Sequence, residues 1–182
     1  MKLKKTKFDG VYIISPEVFG DARGWFYESY NEKALREAGI KTRFVQDNHS
    51  FNSQKNTLRG LHFQNTPHSQ AKLVRCTAGA IKDVIVDLRE SSPTYKQWLA
   101  VELSPENHWQ MYIPKGFAHG YLTLAPKSEF QYKVDEFYCR ESDRSIRFDD
   151  PEIGIDWGCR NPIVSQKDKI APLLRDSDVN FK

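Results

Sequence analysis

Short runs in which apolar, β-branched and aromatic residues alternate with polar ones, or stand together, recur along the chain and are closed by turn-forming residues. They are Val11 to Ile14, Trp25 to Tyr30, Phe44 to Gln46, Leu58 to Gln64, Lys72 to Cys76, Ile81 to Leu88, Trp98 to Leu103, Met111 to Ile113, Tyr121 to Leu124 and Phe130 to Val134. Runs this short and this closely spaced predict an all-β sandwich or barrel. Phe130, Tyr132 and Val134 alternate with Gln131 and Lys133, and Leu99, Val101 and Leu103 with Ala100 and Glu102, the pattern of antiparallel strands buried on one face. Val84-Ile85-Val86 is continuous and predicts a strand covered on both faces. Asn31 to Ala38 reads as a helix, with Asn31 as its N-cap and Gly39 just past its end, and a second short helical turn is expected after Ser165. Residues 150 to 182 carry less strand signal and are read as a C-terminal extension packed across the barrel. No repeat, linker or composition shift divides the chain, so a single domain over residues 1–182 is expected.

Composition narrows the function classes. With 39% hydrophobic and 28% charged residues the chain groups with globular proteins. No run approaches the ~18 apolar residues of a membrane-spanning helix. Four lysines lie between Met1 and Lys7, but Val11 to Ile14 is too short for the apolar part of a signal peptide, so a cytoplasmic location is expected. Cys76, Cys139 and Cys159 form no CxxC pair and are read as semi-buried fillers in a reducing compartment. The net charge of +3 comes without a nucleic-acid-reading motif, so no nucleic-acid partner is expected. A small acidic substrate would need only a few of these cations.

Candidate chemistry lies in three segments. Arg59-Gly60-Leu61-His62-Phe63-Gln64 sets a cation and an imidazole three residues apart on a strand, where strict alternation sends them to opposite faces. If both serve one pocket, Gly60 must permit a bulge or bend. Pro114-Lys115-Gly116 forms a turn read as delivering His119 to the start of the next strand. Asp21-Ala22-Arg23-Gly24-Trp25-Phe26-Tyr27-Glu28 places Arg23 and Glu28 beside three aromatics, as a nucleoside diphosphate would use, although aromatic strands are more often plain core. A metal site that joins His-x-His and Glu to a distant histidine in Pro-x-Gly-x-x-His is only half present. Gln64 stands where the second histidine would be, and two imidazoles are too few ligands, so no metal is expected.

Taken together, several ordered stretches resemble the dTDP-4-dehydrorhamnose 3,5-epimerase family. They are Val18 to Gly24, Phe44 to Ser50, Leu58 to Gln64, Lys72 to Arg75, Ile113 to Gly120, Tyr132-Lys133, Lys167-Asp168 and Ala171 to Leu174. The resemblance implies a cupin-type antiparallel β-jelly roll with a few short helices, a homodimer, and inversion of carbons 3 and 5 of dTDP-4-dehydro-6-deoxyglucose without a cofactor. It implies His62 as the base with Asp168 behind it, Lys72 beside the developing enolate oxygen, and Tyr132 as the acid on the opposite face. For binding it implies Arg23 and Arg59 at the diphosphate, Gln46 and Asn48 at nucleotide and phosphate oxygens, and Phe19 and Tyr138 stacked on the base. Phe26 and Glu28 would contact the nucleoside, some of these residues being donated by a partner subunit, and His119 would line the sugar pocket. The alternatives are an epimerase that inverts one centre of another nucleotide-linked 4-ketosugar, a non-catalytic nucleotide-sugar binding protein, and a metal-dependent cupin.

Overall fold

A computed structural model describes residues 1–182. Two antiparallel sheets form the body of the fold. The first runs in the order β1 (Lys2–Lys5), β2 (Tyr12–Ser15), β10 (Gln110–Ile113), β7 (Lys72–Ala78), β12 (Ser128–Val134), β5 (Gln46–Asn52). The second runs β13 (Asp143–Ser145), β6 (Thr57–Gln64), β11 (Phe117–Thr123), β8 (Ile81–Asp87), β9 (Trp98–Leu103), with β14 (Ile163–Val164) parallel to β6. A separate hairpin joins β3 (Phe19–Asp21) to β4 (Gly24–Phe26). Sequence neighbours repeatedly fall in different sheets, the crossing pattern of a jelly roll.

Alternation along the strands builds three apolar layers. Val74, Cys76, Met111, Ile113 and Phe130 of the first sheet meet Ile81, Ile85, Leu103, Phe117 and Tyr121 of the second in the sandwich interior. Leu58, Leu61, Phe63, Val84, Val86, Ala118 and Leu122 point the other way and are covered by Ile146 just after β13 and by Ile153, Trp157, Leu174 and Phe181 of the C-terminal extension. This explains the continuous Val84-Ile85-Val86 run, since Ile85 faces one layer and its neighbours the other, all at 0% exposure. The outer face of the first sheet is covered in part by α1 (Glu32–Glu37), which inserts Leu35 against Ile14, Leu73 and Tyr112. Asn31 caps α1 by accepting from the Ala34 N–H at 3.1 Å, and Gly39 leaves it at φ +99°, as its sequence signals require. After Ser165 lies α2 (Gln166–Lys169), whose Asp168 N–H donates to the Ser165 hydroxyl at 3.1 Å.

Three strand expectations need correction. The strand expected at Phe44 to Gln46 runs over Gln46–Asn52. That strand alternates polar residues on its inner face, Gln46, Asn48, Ser50 and Asn52, so it carries no apolar signal. The strand expected at Trp25 to Tyr30 ends at Phe26. The strand expected from Tyr121 begins at Phe117, which places His119 inside it and not at its start. All seven residues of that strand are buried, including alanine, glycine and histidine, which have weak strand preference and depend on tertiary cover. No helix is long and apolar enough to cross a membrane.

Candidate active site

Gly60 decides which way β6 faces. The register pairs His119 with His62 and Tyr121 with Arg59, so three steps on β6 match two on β11 and a bulge lies between. Leu58, Leu61 and Phe63 thereby all face the extension, while Arg59 and His62 both face the sandwich interior. Gly60 adopts φ +130°, and a Cβ there would sit 2.6 Å from Gly120 Cα and 3.0 Å from the His119 carbonyl. Any side chain would separate the two strands, so this position requires glycine on steric and on backbone grounds.

His62 reaches out of β6 to Asp168 on α2, Nε2 to Oδ1 at 2.6 Å. The imidazole is 36% exposed and the carboxylate 3%. Burial penalises ionisation of Asp168, but the His62 bond and charge, the Ser165 hydroxyl and the Gly60 N–H outweigh it and hold its pKa below the ordinary carboxylate value. An ionised carboxylate only accepts, so Nε2 carries the proton and Nδ1 is the bare nitrogen.

Across the interior, the first sheet supplies Lys72 and Tyr132. The Lys72 ammonium donates to the His62 carbonyl at 3.4 Å and lies 5.9 Å from the Tyr132 ring centre. Desolvation lowers its pKa to about 8, opposed by the charges of Asp83 and Asp143. Burial raises the Tyr132 phenol above its ordinary value, so it stays protonated at neutral pH. Asn48 is the register partner of Tyr132 on β5, and Gln46 donates to its side chain at 2.9 Å. Asn52 of the same face accepts from Arg59 Nε at 2.8 Å. His119 is buried, with Nε2 2.7 Å from Asp83 Oδ1 and its ring stacked 5.7 Å from Phe130. Tyr138 is 60% exposed at the rim, its hydroxyl donating to Asp143 at 3.5 Å, where Lys167 also donates at 2.7 Å.

His62, Asp168, Lys72, Tyr132, Arg59, Gln46, Asn48 and His119 therefore converge between the sheets, with Tyr138 at the edge. Phe19, Arg23, Phe26 and Glu28 do not join them. Phe19 and Phe26 are 57% and 65% exposed on the β3–β4 hairpin, Arg23 pairs only with Asp21, and Glu28 accepts from Asn31. The chain leaving this hairpin carries Tyr27, which meets Arg75, and Arg75 projects from the face of β7 opposite to Lys72. The hairpin thus lies behind the sheet whose front bears the pocket. The segment readings missed Asp83, Asp143 and Asn52. Asp83 is enclosed in an apolar strand, and the other two sit in ordinary polar stretches, with part of their surroundings supplied from far along the chain. No three His, Cys, Asp or Glu side chains converge as a metal-ligand group.

A jelly roll with a polar, proton-handling interior is the architecture of a cupin-type enzyme. Residues 5–176 match the family model described as dTDP-4-dehydrorhamnose 3,5-epimerase. An enzyme of that description from Shigella flexneri is 49% identical over 179 residues, covering 98% of each chain. The Bacillus anthracis dTDP-4-dehydrorhamnose 3,5-epimerase, solved with TDP and PPi bound, superposes with TM-score 0.93 at 49% identity, over 95% of this chain and 99% of that one. A Legionella pneumophila dTDP-6-deoxy-D-glucose-3,5-epimerase in complex with dTDP-4-keto-L-rhamnose gives TM-score 0.92 at 47% identity, over 97% and 94%. The chain belongs to the dTDP-4-dehydrorhamnose 3,5-epimerase family.

Proposed function

We propose that this protein converts dTDP-4-dehydro-6-deoxy-D-glucose to dTDP-4-dehydro-L-rhamnose by inverting carbons 3 and 5. One observation carries the reading: His62 with its buried carboxylate stands on one sheet, and Tyr132 and Lys72 stand on the other. A sugar held between the sheets would meet a base on one face and an acid on the opposite face, which inversion demands.

Both carbons flank the 4-keto group. His62 Nδ1 takes the proton, the carbon–hydrogen pair forms a carbon–carbon double bond, and the carbonyl π pair moves onto oxygen to give an enolate. Asp168 fixes the imidazole tautomer and stabilises the imidazolium that forms. The Lys72 ammonium is aimed at the charge that develops on oxygen. Tyr132 delivers a proton to the opposite face as the enolate collapses, and solvent then restores both groups. No redox step occurs, so the chemistry calls for no cofactor.

Arg59 serves the diphosphate, Gln46 and Asn48 the nucleotide and phosphate oxygens, Tyr138 the base and His119 the sugar. Phe19, Arg23, Phe26 and Glu28 would act in a partner's pocket, in a homodimer whose hairpins are exchanged. The exposed Phe19, Trp25 and Phe26 support that assembly, since such a ribbon gains little by standing in water. A cytoplasmic setting suits a nucleotide-sugar substrate. The test is incubation with dTDP-4-dehydro-6-deoxyglucose in deuterated water. Deuterium at carbons 3 and 5 of an inverted sugar is expected, and its absence from both would overturn the reading.

A further inference from the structure

Asp83 lies on the inner face of β8 between Ile81 and Ile85, both members of the interior apolar layer. A carboxylate with 0% exposure in such surroundings is costly unless its charge is compensated. One oxygen accepts from His119 Nε2 at 2.7 Å, while Oδ2 is buried without any hydrogen-bond partner. Lys72, opposite it on the first sheet, is also buried, and its only hydrogen bond is the long one to the His62 carbonyl. No ion pair joins the two directly, but they stand at the ends of one chain of contacts, Lys72 on the His62 carbonyl, His62 in register with His119, and His119 on Asp83, and each feels the other's charge across the enclosed interior. We propose that Asp83 is a positioning residue for the epimerisation: its carboxylate anchors the His119 imidazole and provides the counter-charge that keeps the Lys72 ammonium charged inside the sandwich.

The groups that act on this pair come from every surrounding element. Lys72 touches the His62 carbonyl of β6 and lies by the Tyr132 ring of β12, and the charges of Asp83 from β8, His119 from β11 and Asp143 from β13 act on it at longer range. The charge of Asp168 is already engaged by His62, and Asp143 is engaged by Lys167. That leaves Asp83 as the carboxylate whose unshared oxygen is buried. The directions of titration agree. Desolvation raises Asp83 and lowers Lys72 to about 8, and in each case the opposite charge of the partner resists the shift. Removing the anion should therefore let Lys72 become neutral at the pH where the enolate oxygen needs a cation.

The kinetic readout rests on the epimerase reading; the first measurement does not. Lysine labelled with carbon-13 at Cε is titrated by NMR, the Lys72 signal being assigned by its loss in Lys72→Met. The wild-type midpoint is expected near 8, and Asp83→Asn should lower it by at least one pH unit. A shift below 0.3 unit, or a wild-type Lys72 already neutral at pH 6.5, overturns the proposal. In turnover, the alkaline limb of the Asp83→Asn kcat profile should move down by the same interval, with KM changed less than twofold. A uniform fall in kcat at every pH, with the Lys72 midpoint unmoved, would assign Asp83 a purely structural part and also overturn it. If Asp83→Asn does not fold, the wild-type titration decides: a Lys72 midpoint at or above 6.5 in so enclosed a site upholds the counter-charge, and one below 6.5 refutes it.

Discussion

The interior holds two histidine–aspartate pairs of nearly identical geometry, His62–Asp168 at 2.6 Å and His119–Asp83 at 2.7 Å, and their histidines are register partners on adjacent strands. Their electrostatics are opposite. His62 is 36% exposed and its carboxylate gathers additional donors, so Asp168 is held below the ordinary range. His119 is 7% exposed and burial lowers its pKa, while Asp83 lacks a second donor and is raised. A histidine–aspartate bond alone does not define a base. An imidazole becomes one when it can reach the substrate and its carboxylate is stabilised as an anion; the enclosed pair instead supplies a fixed field.

The comparison breaks most visibly at His62. His62→Ala should lower kcat toward the upper part of the roughly 10²–10⁴-fold range for a lost general base, and abolish deuterium entry at both carbons. His119→Asn should weaken substrate binding but retain exchange; the reverse pattern would exchange the two pairs' parts. Asp168→Asn should reduce kcat on the order of 10²-fold or more, with KM nearly unchanged. A raised KM with turnover intact would move Asp168 into the substrate site. Tyr132→Phe should cut inversion by about 10²-fold while solvent deuterium still enters the sugar, because His62 can return an exchanged proton to the face it left. Loss of exchange together with inversion would mean that the phenol is needed to form the enolate.

Acid titration of stability sharpens the contrast in sign. The depressed pKa of Asp168 contributes stability that is complete above the unfolded value, about 3.9, and is lost as pH falls through the folded value. The raised pKa of Asp83 does the opposite, costing stability as pH climbs from about 3.9 through its folded value. Denaturant midpoints between pH 3 and 7 should therefore fall less steeply with acid in Asp168→Asn than in wild type. Asp83→Asn should improve relative to wild type as pH rises; parallel curves would remove the distinction. The smallest effect is expected at Ser165→Ala, which deletes the α2 cap at a cost of about 1 kcal/mol and should reduce kcat a few-fold by loosening Asp168.

Much of this was legible from residue patterns. Gly60 within Arg59-Gly60-Leu61-His62 demanded a bulge if one pocket was to receive both cation and imidazole, and the register shift supplies it. Asn31, Gly39 and Ser165 marked helix ends through chemistry local to a few residues. What escaped depends on contacts distant in sequence. Gln46–Asn52 is a strand because β12 pairs with it, while its inner face stays polar to serve the pocket. Lys2–Lys5 is an edge strand with only Leu3 packed, against the layer under α1, and its lysines carry no strand signal. Asp83 is invisible among Ile81, Val84, Ile85 and Val86 until the neighbouring strand brings His119 to it. Of the four binding candidates on and beside the hairpin, Arg23 and Glu28 stood out by their aromatic neighbours and Phe19 and Phe26 only by resemblance, and the single chain sets all four behind the pocket.

The carboxylate that completes the base arrives 106 residues after the imidazole. During synthesis, a chain emerged only through β12 contains the whole first sheet and strands β6, β8, β9 and β11 of the second, with Lys72, Tyr132 and His119, while His62 still lacks its acceptor. At that stage the outer face carrying Leu58, Leu61, Val84 and Val86 is bare, because the residues that cover it follow later. A chain interrupted before the extension would thus leave His62 without its acceptor and an apolar sheet face uncovered at the same time.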